Sequence, residues 1–206
     1  MEDEFFTQQI NYTKKRKALL EAKDIFAGVA FPFILMIVLS SSIITFADSQ
    51  DLMIYFFATI GGEILTIASL IIFGRANGAA AYGKTIENMQ KREINSKDEK
   101  VYYRTGEYAI WKAVLIGAIL CAPFIIFQTI ELCYDNSVCM FCLKYLFGWA
   151  YYPFYKLGSE YQALNYLMIL MPIGVHTLGY YFGKLKRIKV QKALEKTNME
   201  KKGRKK

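Results

Sequence analysis

The sequence is short of the residues that most often carry chemistry. It holds one histidine, His176, and four cysteines among 206 residues. A single histidine excludes the His-Glu-x-x-His zinc motif, which sets two on one helix face. Nothing else in the chain groups the four ligands of a closed zinc site. A Gly-rich phosphate loop and a Gly-x-Ser-x-Gly elbow are also missing. No metal and no cofactor is expected, and catalysis is not the leading expectation. The first residues are acidic, and the first apolar run begins only near Ile25. A cleaved secretory signal has a basic start followed closely by a short apolar core, so this run reads as a retained span. Neither end carries a lipidation motif.

What the chain does have is apolar sequence in long blocks. Hydrophobic residues make up 54% and aromatics 16%, yet the mean hydropathy is only +0.18. The average hides segregation. Four apolar stretches, 25–47, 52–74, 110–132 and 162–183, alternate with charged segments. Each is about 22 residues, or ~33 Å of α-helix, against a hydrocarbon core of ~30 Å. No soluble core needs four such runs, and disordered chains lack this aromatic and aliphatic content. The predicted fold is an all-α integral membrane protein, a bundle of four transmembrane helices.

Loop 48–51 contains no lysine or arginine, and segment 133–161 only Lys144 and Lys156. The other 24 of 26 fall in segments 1–24, 75–112 and 184–206. Basic residues stay on the cytoplasmic side. The prediction is a multi-pass cell-membrane protein with both termini and the loop 75–109 inside. Topology and attraction to anionic lipid headgroups account for the net charge of +8, so the bilayer is the expected partner and nucleic acid is not. Within the basic amphipathic segment 1–24, residues 5–24 read as a helix with Phe5, Phe6, Ile10, Leu19 and Leu20 placed for the bilayer surface. Segment 184–206 is a basic cytoplasmic tail. Lys112 and Glu131 sit near the ends of the third span, where long side chains can snorkel to the interface. Richness in Lys, Ile and Asn suggests an AT-rich bacterial genome.

The outer loop 133–161 is unusually apolar. A fifth span there would bury Lys144 and throw the basic tail outside, both costly. An interfacial or re-entrant helix over 138–155 fits better, with Tyr145, Trp149, Tyr151, Tyr152 and Tyr155 as an outer aromatic belt.

Two sets of residues point to chemistry. Glu63 lies eleven residues into the second span, and a midplane carboxylate must face protein or water. His176 lies fourteen residues into the fourth span, which runs the same way, so the two depths differ by about 4–5 Å. Carboxylate and imidazole at one depth suit a proton relay or a cation site. Ser40, Ser41, Ser42, Thr45, Gln128 and Asn165 are candidates to line a polar cavity, or to bond across helices and back to their own carbonyls. The second set is Cys133, Cys139 and Cys142, all in the outer loop. Outside the cytoplasm thiols tend to pair, so one structural disulfide from Cys133 to Cys139 or Cys142 is expected. Cys139 and Cys142 also have redox-motif spacing.

The layout is similar to that of the membrane oxidases that pass electrons from disulfide formation to a quinone: four spans, termini inside, cysteines and an interfacial helix outside. The resemblance implies redox roles for Cys139 and Cys142. It covers layout only, and loop 48–51 lacks the cysteine pair that those enzymes carry in their first outer loop. The leading expectation is a small transporter or channel-like protein using Glu63 and His176. Four helices make a thin wall for a path, which implies a homo-oligomer or a partner membrane subunit. The alternatives are a non-catalytic membrane subunit or scaffold of a larger complex, and a membrane thiol–disulfide oxidoreductase.

Overall fold

The computed structural model describes residues 2–47, 51–94, 107–156 and 158–203. These residues form α1 (Glu2–Ala47), α2 (Leu52–Ile94), α3 (Ile110–Tyr134), α4 (Ser137–Leu146), α5 (Gly148–Tyr155), a 3₁₀ helix (Ser159–Ile169) and α6 (Leu170–Gly203). Among them, four helices are long and apolar enough to cross a membrane, with apolar segments Ala18–Phe46, Leu52–Met89, Ile110–Tyr134 and Gln162–Thr197. Their outer faces expose apolar side chains in numbers that water does not tolerate: Phe31, Phe57, Ile64, Ile72, Ile126 and Leu170 are each more than half exposed.

The four long helices alternate in direction in chain order. Asp24 meets Lys84 and Phe31 meets Phe73, so α1 and α2 are antiparallel. Contacts of Ala113 with His176 and of Cys121 with Ile169 make α3 antiparallel to α6 and its 3₁₀ lead-in. Hence α2 and α6 run the same way. They meet along a seam of four glycines, Gly74 and Gly78 on α2, Gly179 and Gly183 on α6. A Cβ on Gly74 would strike the His176 carbonyl, one on Gly78 the Tyr180 carbonyl, and one on Gly183 the Arg75 carbonyl. On Gly179 it would lie 2.7 Å from the Ile71 oxygen. Each pair is four apart, the small-xxx-small spacing that lets membrane helices touch through their backbones. Gly117 on α3 does the same against α6, where a Cβ would lie 2.6 Å from Ile173 Cα.

Pro32, Pro123 and Pro153 are accommodated inside α1, α3 and α5. α1 is continuous through its basic N-terminal part. Leu19 and Leu20 are exposed there, while the side chains of Phe5, Phe6 and Ile10 lie outside the described residues.

Segment 138–155 is not one helix but two, broken at Phe147. α4 starts at Asn136, whose side chain accepts hydrogen bonds from Val138 N (3.0 Å) and Cys139 N (3.1 Å). Phe147 is the apex of the hairpin, with its ring 6.0–6.3 Å from those of Phe33, Phe124 and Phe127. α5 returns beside α4, with the Lys144 ammonium 5.1 Å from the Tyr155 ring. The expected aromatic belt is mostly absent. Trp149, Tyr151 and Tyr152 are fully buried, and only Tyr145 is open. The Tyr55 hydroxyl donates to the Tyr152 carbonyl, and Trp149 N donates to Ser40 Oγ at 3.5 Å. The helix break explains the difference. A straight helix on the surface would show one face, but a hairpin between the bundle helices is covered on nearly all sides. It forms the cap end of the bundle; the opposite end, where Asp24, Lys84 and the C-terminal extension lie, is the tail end.

The fourth span also departs from expectation. Its first part is 3₁₀ rather than α, eleven residues in length, where 3₁₀ runs rarely exceed one turn or so.

The seam makes a direct prediction. Gly78→Ala should lower the unfolding temperature of the detergent-solubilised protein, because overpacking against backbone costs about 1–3 kcal/mol. Gly61→Ala and Gly174→Ala, where a Cβ meets nothing within 4 Å, should be neutral or stabilising by ~0.5–1 kcal/mol. Equal effects at all three positions would refute the close approach of α2 and α6.

Candidate functional site

The polar groups inside the bundle occupy separate levels. Glu63 lies on the stripe of α2 that also carries Gly74, eleven residues or about three turns further along. At Gly74 that stripe faces α6. The Glu63 oxygen Oε1 is buried and has no hydrogen-bond partner. Gly62 beside it packs against Ile43 of α1, so small residues bring the backbone of α2 close to its neighbour at this level.

His176 is wholly buried on α6. Its Nδ1 lies 3.3 Å from the Ala113 carbonyl oxygen, so Nδ1 carries the proton that donates. In the neutral ring Nε2 is then a bare lone pair, and Nε2 has no partner. The carboxyl and the imidazole do not touch. The seam contacts place His176 level with residues 71–74 of α2, eight to eleven residues from Glu63, or roughly 12–16 Å along the axis. Equal counting from the span ends misses this for a physical reason. Eleven 3₁₀ residues are about 5 Å longer than the same residues in α-helix, and glycine contacts, not span length, set the register of α2 against α6.

The hydroxyl residues of α1 satisfy themselves locally. Ser40, Ser41, Ser42 and Thr45 each donate to the carbonyl four residues earlier, at 2.8–3.2 Å. They do not need a cavity. Asn165 Nδ2 donates to Gln128 Oε1 at 3.4 Å, joining the 3₁₀ helix to α3.

The two charged residues near the ends of α3 do not snorkel. Lys112 is 8% exposed and pairs with Glu21 Oε1 at 3.6 Å. Glu131 is 5% exposed, and its Oε2 has no partner. Hydropathy alone cannot separate a lysine that reaches outward from one that turns into the bundle.

No family model, curated protein or solved structure matches the chain. Function must be read from its own geometry.

All four cysteines are free thiols. Cys133 is exposed, at the end of α3. Cys139 is buried in the first turn of α4, and Cys142 is half-buried one turn later. Cys121 is buried against the Ile169 carbonyl at 3.6 Å. The expected disulfide from Cys133 is therefore not formed in this structure. Among the described residues no group of three or more His, Cys, Asp or Glu side chains is arranged to hold a metal ion.

Thiol reactivity should follow this burial. With a maleimide in mild detergent and no reductant, Cys133 should label first and Cys142 more slowly. Cys121 and Cys139 should label only on denaturation. A chain that takes up no label at Cys133 until it is reduced would show a disulfide there.

Proposed function

We propose that this chain is a multi-pass membrane protein that passes protons or small cations through its bundle, with Glu63 as the carboxyl group that receives them. One observation carries the reading: a carboxylate oxygen buried eleven residues into a helix long enough to cross a membrane, on its inward stripe, with no hydrogen-bond partner. An ionisable group at such depth is expensive unless function retains it. His176 acts as a second station, closer to the tail end. Its Nε2 lone pair is the acceptor, and the Ala113 carbonyl fixes the ring. The stations act in series rather than as a contact pair. A proton crosses the ~12–16 Å between them through water or through motion of the helices.

The same reading assigns the membrane topology. The basic segments 1–24, 75–109 and 184–206 lie in the cytoplasm and the tail end faces it. The α4–α5 pair is a re-entrant hairpin entering from the other side. Ten residues of α4 span about 15 Å, half of the hydrocarbon core. Irregular backbone at that depth is stable only when protein covers it, which agrees with the buried Gly148–Tyr152. The aromatic contacts around Phe147 close this half of the bundle, so conduction requires the hairpin to shift. A second copy or a partner subunit completes the wall.

A second reading, a non-catalytic membrane subunit, draws on one observation. At the tail end, α2 and α6 enclose an open groove of about 650 Å³, lined by Ile86, Val190 and Leu194 with Arg187 and Glu87 at hand. The thiol-oxidoreductase reading gains nothing from the geometry, since reactive thiols are accessible and Cys139 is buried.

Flux decides between the first two. In proteoliposomes with an imposed potential and an internal pH dye, the wild-type chain should carry acid-driven flux. Glu63→Gln should cut it at least tenfold, and His176→Asn should slow it. Glu131→Gln, at the cap end, should leave most of it. Flux unchanged in Glu63→Gln would end the transport reading. No flux from any form, with stoichiometric co-purification of another membrane protein, would favour the subunit.

A further inference from the structure

The tail end of the bundle holds a cavity of about 190 Å³ where α1, α2, α3 and α6 meet. It lies more than ten residues from Glu63 along α2 and belongs to neither station described above. One side is apolar, formed by Ile25, Ile116 and the ring of Tyr180. The other side carries Asp24, Asn77, Lys84 and Lys112.

These four polar residues are not equally satisfied. Asp24 and Lys84 close on each other, with Lys84 Nζ donating to both carboxylate oxygens at 3.0 and 2.9 Å. They form a finished wall. Lys112 does not have that support. Its side chain is 90% buried (10% exposed), and its ion pair with Glu21 is 3.6 Å, too long for a hydrogen bond. The Trp111 ring at 5.6 Å adds a weak cation–π contact. An ammonium has three donors and no acceptor. None of the three has a hydrogen-bond acceptor among the described residues. Asn77, facing the same space, makes no hydrogen bond to a described residue either. Leaving a buried ammonium without acceptors is costly. The unmet capacity of the cavity is therefore mainly donor capacity, on a positively charged group, beside an apolar wall.

We propose that this cavity binds an oxyanion, a phosphate or carboxylate group, on Lys112 and Asn77, with the apolar part of the same ligand against Ile25 and Ile116. Charge-assisted hydrogen bonds from the ammonium complete its shell. Asp24 does not repel the anion strongly because Lys84 neutralises it. The site takes one group of this size, not an extended polyanion, because Glu21 and Asp24 balance the two lysines. The cavity borders the exposed Ala27 and Ala80, near the tail end of the apolar spans. That place admits both a lipid phosphate from the side and a small soluble anion from the aqueous phase.

The test uses the purified full-length chain in a neutral detergent, with thermal unfolding as the readout. Three probes are titrated: inorganic phosphate, acetate, and phosphatidylglycerol in mixed micelles. A rise in unfolding temperature with the soluble anions identifies a soluble ligand. A rise only with phosphatidylglycerol identifies a lipid headgroup, and native mass spectrometry should then find phospholipid retained by the chain. In either case Lys112→Met should weaken half-saturation roughly ten- to hundredfold, as expected for loss of a charge-assisted hydrogen bond. Lys112→Arg should keep the response. Because Lys112→Met also frees Glu21, Asn77→Ala serves as a second variant and should weaken binding with Glu21 still paired. Lys186→Met and Lys189→Met, on an exposed basic groove, should change nothing. No response from the wild-type chain to any probe overturns the proposal. So does a response that survives both Lys112→Met and Asn77→Ala.

Discussion

Helices α2 and α6 touch backbone to backbone, and the internal arrangement of the bundle follows from that approach. A membrane gives no hydrophobic reward for bringing two apolar helices together, because lipid is as apolar as leucine. What remains is close packing, and it needs residues without side chains at the crossing. Gly74, Gly78, Gly179 and Gly183 supply them on both helices. Once the backbones are in contact the register cannot slide, since a carbonyl fills the space of each missing Cβ. That register sets His176, which bonds to Ala113 of α3, level with residues 71–74 of α2, and brings Asn77 and Tyr180 to the same cavity.

The positions of the spans were legible in the sequence because one strong constraint writes them: backbone in hydrocarbon must be helical, and long enough to cross. The interior was less legible, because hydropathy records depth and not direction. Glu63 was recognisable from its depth alone. Its distance from His176 was not, since that depends on glycine contacts between separate helices and on a local change of helix type. The two glycine pairs were visible at spacing four, yet nothing in one chain says which helix each faces. Trp149, Tyr151 and Tyr152 look like interfacial anchors by composition. They are core residues because the chain breaks at Phe147 and folds inward. Lys112 looked like a boundary residue, and its inward turn depends on Glu21 in a distant segment.

The buried polar groups share a pattern. Serines and threonines of α1 bond back within their own helix, and Gln128 and Asn165 bond to each other. These groups hold structure. The groups left incomplete include the ionisable Glu63, Glu131 and His176, and at the tail end Lys112 is held by a long ion pair alone. Neutral groups are left open as well, among them Thr59 Oγ1, Gln128 Nε2, Asn165 Oδ1 and Thr177 Oγ1, but the ionisable groups carry the larger electrostatic cost at the places they occupy. The transport and anion-binding proposals rest on those places.

The 3₁₀ helix has a mechanical consequence. Each residue turns about 120° in 3₁₀ geometry and about 100° in α. Over the eleven residues of Ser159–Ile169 the difference accumulates to about 220°. Rewinding this segment as α-helix would therefore act as a screw, drawing the cap end toward α6 while swinging Asn165 away from Gln128 on α3. The Asn165–Gln128 bond of 3.4 Å, the Tyr166–Thr129 hydroxyl pair at 2.7 Å and the Cys121 thiol on the Ile169 carbonyl at 3.6 Å resist that motion. The glycine seam further along stays fixed and serves as the bearing. In such a rewinding the turn would fall on Ser159–Ile169, the segment packed beside α5.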